Sequence, residues 1–179
     1  MAGAPTKRKI TTMIRRLPPL AGLVLLCLGV LTCDLTNCDD ESERFTLADE
    51  QAIQIDSTAQ QSLLATTIPG DQLVATYTFI GAQCDHIADD EVRFRVLFEI
   101  DPTVDAFAYQ DAELAMHHTV WERDCFCANL GFQRVERGAI SGERITSELW
   151  DIRADILVAN EFGGDDIALT FAGVFVLHP

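Results

Sequence analysis

The stretch VRFRVLFEI, residues 92–100, decides the fold class of this chain. Apolar side chains occupy positions 92, 94, 96, 98 and 100, and charged side chains stand between them except at Leu97. Because successive side chains of a strand point to opposite faces, this alternation predicts a strand. One face of that strand should be buried, and the other should present charge to water.

The same two-residue period recurs on both sides of this stretch. It is found in Leu73–Phe79, in Ile152–Val158 and in Ile167–Leu177. The segment NEFGGDD, residues 160–166, separates the last two runs and carries the glycine and Asn/Asp residues that favour turns. We therefore expect these two runs to form an antiparallel hairpin.

Weaker signals fill the rest of the chain. A second turn is predicted at Ile140–Glu143, between strands near Phe132–Ile140 and Arg144–Trp150, and a short helix is predicted over Tyr109–Met116. Residues 45–70 are ambiguous: Phe45, Leu47, Ile53 and Ile55 fit edge strands, whereas Ser57–Ala65 fits a polar connection or a short helix. Many short strands with turns between them are typical of an antiparallel β-sandwich or barrel. The prediction is an all-β, disulfide-stapled single domain over residues 45–179.

The charge is distributed very unevenly along the chain. Residues 1–32 hold five basic side chains and no acidic one, whereas the remainder holds eight arginines and all 28 carboxylates. The two parts therefore carry +5 and −20, which give the net charge of −15. A surface this acidic repels phosphate backbones, which argues against nucleic-acid binding.

The N-terminus has the composition of an export signal. The basic segment KRKITTMIRR, residues 7–16, runs into an apolar stretch from Leu17 to Cys33. That stretch is shorter than the roughly 20 apolar residues that comfortably span a bilayer. It therefore favours a signal peptide over residues 1–32 rather than a permanent transmembrane helix.

The end of the apolar stretch resembles a bacterial lipoprotein signal. The residues Val30-Leu31-Thr32-Cys33 form a degenerate version of the lipoprotein box that ends in cysteine. The resemblance implies that Cys33 is acylated, with palmitate-type chains, and becomes the mature N-terminus. It implies a protein of the cell envelope that is held to the membrane by an N-terminal lipid. Cleavage by the general signal peptidase and an uncleaved N-terminal anchor are the alternatives.

Residues 33–44 are expected to act as a lipidated spacer. They include the acidic run from Asp39 to Glu43. Like charges in a block repel one another and stay solvated, so this run suits a link between membrane and domain.

Cysteine parity agrees with a lipidated Cys33. Cys27 lies in the apolar stretch and would leave with the signal, so five cysteines stay: Cys33, Cys38, Cys84, Cys125 and Cys127. An oxidising compartment favours disulfides, and four cysteines form two disulfides if Cys33 carries lipid. Cys125 and Cys127 are only one residue apart and poorly placed to bond each other. Each is therefore expected to pair with Cys38 or Cys84, in either order.

A metal site is the alternative interpretation of the same residues. Cys84-Asp85-His86 and His117-His118, together with the two later cysteines, supply zinc or copper ligands. On that reading His86, His117 and His118 would be ligands in a periplasmic or secreted metal-binding protein. None of these clusters has the two-residue gap common in structural zinc sites, and disulfides are the favoured interpretation. The sequence therefore predicts no cofactor and no bound metal.

The sequence gives little support for catalysis. It has no G-x-S-x-G elbow, no H-E-x-x-H pair, no phosphate-binding glycine loop and no dinucleotide fingerprint. An uncharacterised hydrolase is the third hypothesis. The leading one is an exported, membrane-tethered β-domain that acts as a non-enzymatic binding or structural module, with a protein or small-molecule partner that the sequence does not identify.

Overall fold

The computed structural model describes residues 38–57, 63–84, 92–125, 131–160 and 164–178. Strands account for 72% of these residues and helix for 4%. The predicted all-β class is therefore confirmed. The cysteines at 33 and 127 and the histidine at 86 lie outside the described residues.

The described residues form twelve strands and one short helix. The helix, α1, spans Ala112–Met116. The strands are β1 (Cys38–Asp39), β2 (Ser42–Ser57), β3 (Leu63–Pro69), β4 (Gln72–Ile80), β5 (Gln83–Cys84), β6 (Val92–Ile100), β7 (Ala106–Gln110), β8 (Val120–Cys125), β9 (Phe132–Arg134), β10 (Arg137–Arg144), β11 (Leu149–Val158) and β12 (Ile167–Leu177).

Ten of the strands form one sheet, and part of that sheet closes on itself. The strand order is β3-β9-β8-β6-β4-β2-β12-β11-β10-β7, and β3 also pairs with β2. The β2–β3 pairing closes six strands into an antiparallel barrel, with β12, β11, β10 and β7 as outer strands. One pairing is parallel, since β12 runs beside β2 with Val176 opposite Thr46. The strands β1 and β5 form a separate two-stranded ribbon.

The strongest sequence predictions are confirmed. The stretch 92–100 is strand β6, and the runs at 73–79, 152–158 and 167–177 lie in β4, β11 and β12. The last two strands form the expected antiparallel hairpin, with Trp150 opposite Phe175 and Val158 opposite Ile167. Period-two alternation over seven or more residues thus located these strands.

Two cores explain why Leu97 interrupts the pattern of β6. Val96, Phe98 and Ile100 belong to the main core, whereas Leu97 belongs to a second core. That second core is the inside of the barrel and takes one buried residue from each of its strands: Ile53, Ala65, Val74, Leu97, Val120 and Phe132. The expectation that the charged face of β6 points into water is wrong at Glu99, which is 7% exposed on the barrel side.

Strand β2 serves both cores because it bends. Its register against β4 shifts between Ala48 and Gln51, and Glu50 has a φ of 54° there. A bulge of this kind bends a strand and increases its twist. The first half of β2 pairs with β4, and the second half pairs with β3 to close the barrel. The segment that was ambiguous in sequence is thus one continuous strand up to Ser57, not an edge.

The turn predicted at Ile140–Glu143 is wrong. These residues lie inside β10, and the turn to β11 falls at residues 145–148. Gly142 is required by packing rather than by a turn, because a Cβ there would lie 2.6 Å from the ring of Phe107. The predicted helix at 109–116 is shorter than expected, since Tyr109 and Gln110 end strand β7.

A second glycine is needed under an aromatic ring on β12. A Cβ on Gly173 would lie 2.7–2.9 Å from three carbons of the Phe45 ring. Phe45 also packs against Phe175 and Tyr77, with ring centroids 5.2 and 5.4 Å away. Gly173 therefore leaves the space in which an aromatic cluster joins β2, β4 and β12.

We expect Gly173→Ala to lower the free energy of unfolding by about 1–3 kcal/mol, because the added methyl group forces the Phe45 ring out of its packing position. Urea unfolding followed by tryptophan fluorescence measures the change. Ala172→Ser is the matched control, since Ala172 is the exposed neighbour on the same strand and should unfold like the parent. Equal midpoints for all three proteins would contradict the packing role of Gly173.

Candidate functional site

Charged side chains line the barrel side of β6 and β8 in matching register. Arg93 lies opposite Asp124, and Arg95 lies opposite Glu122. Both pairs form ion pairs, and Arg95 Nε donates a hydrogen bond of 2.9 Å to Glu122 Oε2. The Arg95 guanidinium also lies 5.2 Å from the ring centroid of Phe132 in the barrel core. This pair therefore covers one end of the barrel core, with Glu122 buried beneath Arg95.

Glu99 lies at the other end of the same face of β6. Its Oε1 accepts a 2.6 Å hydrogen bond from the backbone N–H of Ile53, and its Oε2 lies 2.7 Å from His118 Nδ1. An ionised carboxylate only accepts hydrogen bonds, so a contact with the ionised form of Glu99 requires a proton on His118 Nδ1. The buried Glu99 thus fixes the orientation of a His118 side chain that is 45% exposed.

The backbone around His118 is held in an uncommon conformation. His118 has a φ of 49°, in the left-handed region that non-glycine residues adopt at some cost. The neighbouring bonds fix this turn: Glu99 N donates to the His117 carbonyl at 3.0 Å, and Thr119 N donates to the Leu114 carbonyl at 2.9 Å. The end of α1 and strand β6 therefore present His118 together.

His117 points to a different neighbour. Its ring stacks on Tyr109, with centroids 3.6 Å apart and an interplanar angle of 11°. Burial lowers the pKa of His117, and this effect exceeds the opposing attraction of Glu99 and Glu113. Burial also raises the pKa of Tyr109 to about 12. The stacked pair is thus neutral near pH 7.

The Glu99–His118 pair has the arrangement of an acid–base group. A carboxylate on Nδ1 sets the imidazole tautomer and leaves Nε2 to exchange a proton with a bound molecule or with water. The same pair also satisfies the Ile53 N–H at the barrel end, which is a structural role.

The sequence pattern singles out no carboxylate pair or triad, and it predicts that Glu99 lies on the water-facing side of its strand. The signal that it was buried was Leu97, an apolar residue on the same face.

The residues proposed as metal ligands are not brought together. His117 contacts Tyr109, and His118 contacts Glu99. Within the described ranges, no three His, Cys, Asp or Glu side chains are grouped as ligands for a metal ion.

The cysteines show one unexpected relationship. Cys38 of β1 lies opposite Cys84 of β5 in an antiparallel register. Opposed residues of such a pair have Cα atoms about 4.5–5.5 Å apart, which is within the range of a disulfide. This is the pairing that the sequence argument disfavoured. The sulfur of Cys84 is disulfide-bonded. The side chains of Cys38 and Cys125 lie outside the described residues. Both members of a disulfide are therefore not found together among the described side chains.

A shallow depression lies on the outer strands. It has a volume of about 360 Å³ and is lined by parts of β7, β10 and β11: Ala106, Phe107, Ala108, Ser141, Gly142, Glu143, Asp151 and Arg153. The alanines of β7 form its floor at the edge of the sheet, and the carboxylates stand on the next two strands. Above this small-residue floor stand the carboxylates of Glu143 and Asp151 and the guanidinium of Arg153, which lies 3.6 Å from Asp151.

No known protein family, curated protein or solved structure matches this chain. Among the described residues, no helix is long and apolar enough to cross a membrane. The site is therefore interpreted from its own geometry.

The low pKa of His117 predicts a pH dependence of stability. Above the ordinary imidazole pKa of about 6.5, His117 is neutral in both the folded and the unfolded chain. As the pH falls below that value, the unfolded chain binds the proton first, so the free energy of unfolding decreases. We expect the stability of the parent relative to His117→Gln to decrease between pH 8 and pH 5.5, measured by urea unfolding. His178→Gln, which changes an exposed histidine, is the control. A constant difference for His117→Gln would contradict the burial effect.

Proposed function

We propose that this protein is an exported, membrane-tethered domain of a bacterial cell envelope that binds a partner and has no enzymatic role. The observation that carries the proposal is the position of Cys33 relative to the folded unit. The compact unit begins at Cys38, five residues after the cysteine that the lipoprotein-like signal would acylate. A lipid at Cys33 would thus hold the domain close to the membrane surface.

The charge distribution supports the same assignment. All five N-terminal basic residues precede Cys33, and the part after it carries −20. Anionic lipid headgroups repel such a domain, so its surface is available to a partner rather than adsorbed to the bilayer. The strands β1 and β2 begin at Cys38 and Ser42, which leaves a short connection after a lipidated Cys33.

We also propose that a disulfide joins Cys38 to Cys84. The opposed register of these residues and the bonded sulfur of Cys84 support it. Such a bond would attach the beginning of the domain to the end of the β4–β5 segment. This pairing leaves Cys125 and Cys127 as the other two cysteines of a chain that is lipidated at Cys33.

The tether is tested with Cys33→Ser in the native host. We expect the parent chain to fractionate with membranes and to have an intact mass that starts at Cys33 with acyl chains. Cys33→Ser should lose the acyl mass, and Cys27→Ser, which changes the signal but not the acylation site, should behave like the parent. A parent chain without lipid, or a Cys33→Ser chain that still carries acyl mass, would contradict the proposal.

The disulfide is tested with Cys84→Ser under oxidising conditions. We expect a lower free energy of unfolding by about 2–4 kcal/mol, because the unfolded chain gains the freedom that the closed loop removes. A maleimide should then label Cys38, as peptide mapping would detect. Cys27→Ser is the control, since it should leave the stability of the processed domain unchanged. If Cys125 or Cys127 becomes reactive instead of Cys38, the proposed pairing is wrong and Cys84 is bonded to that residue.

A further inference from the structure

Strand β7 is an edge of the large sheet. It pairs with β10, and within the described residues it has no strand on its other side. Natural edge strands are commonly protected by lysine, proline or a bulge. The sequence of β7, AFAYQ, contains neither of those residues, and its register against β10 is regular over all five pairs.

The backbone orientation of β7 follows from the bonds at its two ends. Arg144 N donates to the Asp105 carbonyl at 2.8 Å, and Asp111 N donates to the Gly138 carbonyl at 2.9 Å. Hydrogen-bonded positions alternate along an antiparallel pair, so Phe107 and Tyr109 also bond to β10. Ala106, Ala108 and Gln110 therefore direct their N–H and C=O groups away from the sheet, and the Gln110 N–H donates to Glu113 Oε2 at 3.0 Å. The side chains of these three residues are exposed on its outer face.

The other face of β7 fixes the strand in place. Phe107 packs against Trp150 at 5.8 Å between ring centroids, and Tyr109 stacks on His117. Both aromatic side chains lie against the main core. The free edge is thus ordered before anything binds to it, which lowers the entropy cost of pairing.

The outer face beside this edge has small side chains on β7 and two carboxylates, Glu143 and Asp151, on the next two strands, where Arg153 pairs with Asp151. An added strand would lie about 10 Å from β10, which is two strand spacings away. Ala106 and Ala108 lie between them and leave the floor of the depression low. A long side chain on the added strand can therefore lie across these alanines and reach Glu143. Asp105, whose side chain is 95% exposed, stands at one end of the edge.

We propose that an extended peptide segment with Lys or Arg at alternate positions binds here as an added strand along β7. The proposal rests on the binding function proposed above and names the chemistry of its partner. Backbone hydrogen bonds to Ala106 and Ala108 and to the carbonyl of Gln110 provide the pairing, as in other strand-addition complexes, while the Gln110 N–H keeps its bond to Glu113. The alternate residues of the segment lie on the outer face, where the basic ones meet Glu143. A second copy of this chain is disfavoured because, in the antiparallel register that places the two Ala108 residues opposite each other, Asp105 would lie beside Asp111 of the other copy.

The test uses the full chain, extracted from membranes in detergent, and a blocked seven-residue peptide in which valine alternates with three arginines. Binding is followed by isothermal titration calorimetry at two salt concentrations. Ala108→Pro removes an edge N–H, and an edge strand tolerates proline where that N–H faces solvent. We expect the affinity of Ala108→Pro to fall by about tenfold or more, with a melting temperature close to that of the parent.

A charge variant keeps the test decisive if Ala108→Pro does not fold. Glu143→Gln should weaken binding about two- to fivefold, and Glu136→Gln, which changes an exposed carboxylate outside the depression, should not. A peptide with glutamate in place of arginine should not bind. Equal losses for Glu143→Gln and Glu136→Gln, equal affinity for Ala108→Pro and parent, or a concentration-dependent dimer through β7 would each overturn the proposal. Acylation at Cys33 is measured separately by mass, so failure of peptide binding is distinct from failure of the tether.

Discussion

The structure depends on the burial of both faces of β4 and β6. On one face, Ala75 and Phe98 lie in the main core, and on the other, Val74 and Leu97 fill the barrel. Opposed residues alternate faces together, so a one-residue slip between these strands would exchange the residues of the two cores. The register is therefore specified from both sides. The outer strands cover one face, and the bend in β2 brings β3 over the other.

Because β4 and β6 lie between two cores, the buried charged side chains of the barrel face are restricted to the ends of the barrel core. Glu99 and Glu122 stand on the barrel face of their strands, at the places where the small core ends. Each has an immediate partner, His118 or Arg95, which offsets the cost of removing a carboxylate from water. These pairs give the barrel two distinct ends. One end presents a half-exposed imidazole held by a strained turn, and the other presents a guanidinium.

The sequence predicted the fold class and the long strands, because alternation over seven to eleven residues is a direct consequence of strand geometry. It did not predict that Glu99 is buried, since a charged residue between apolar ones reads as water-facing unless a second core is known. Gly142 was misread as a turn residue because its space is occupied by Phe107, which is distant in sequence. The sequence also did not predict the free edge of β7, since AFAYQ is short and its last two residues fall in the predicted helix. A local sequence pattern does not predict the role of a residue whose packing partner is distant in the chain.

The parallel pairing of β12 with β2 has a consequence for the order of folding. The six barrel strands are all contained in the chain up to Arg134, so the barrel has every strand it needs before the outer strands are made. Val176 of β12, which pairs with Thr46 of β2, comes 130 positions after it in the chain. Such long-range contacts slow folding, since the entropy of closing a long loop must be overcome first. A chain that emerges N-terminus first, as from the ribosome, leaves the aromatic face of β2 and β4 uncovered until the last strand arrives. During that interval, a holdase would have an apolar sheet surface to recognise.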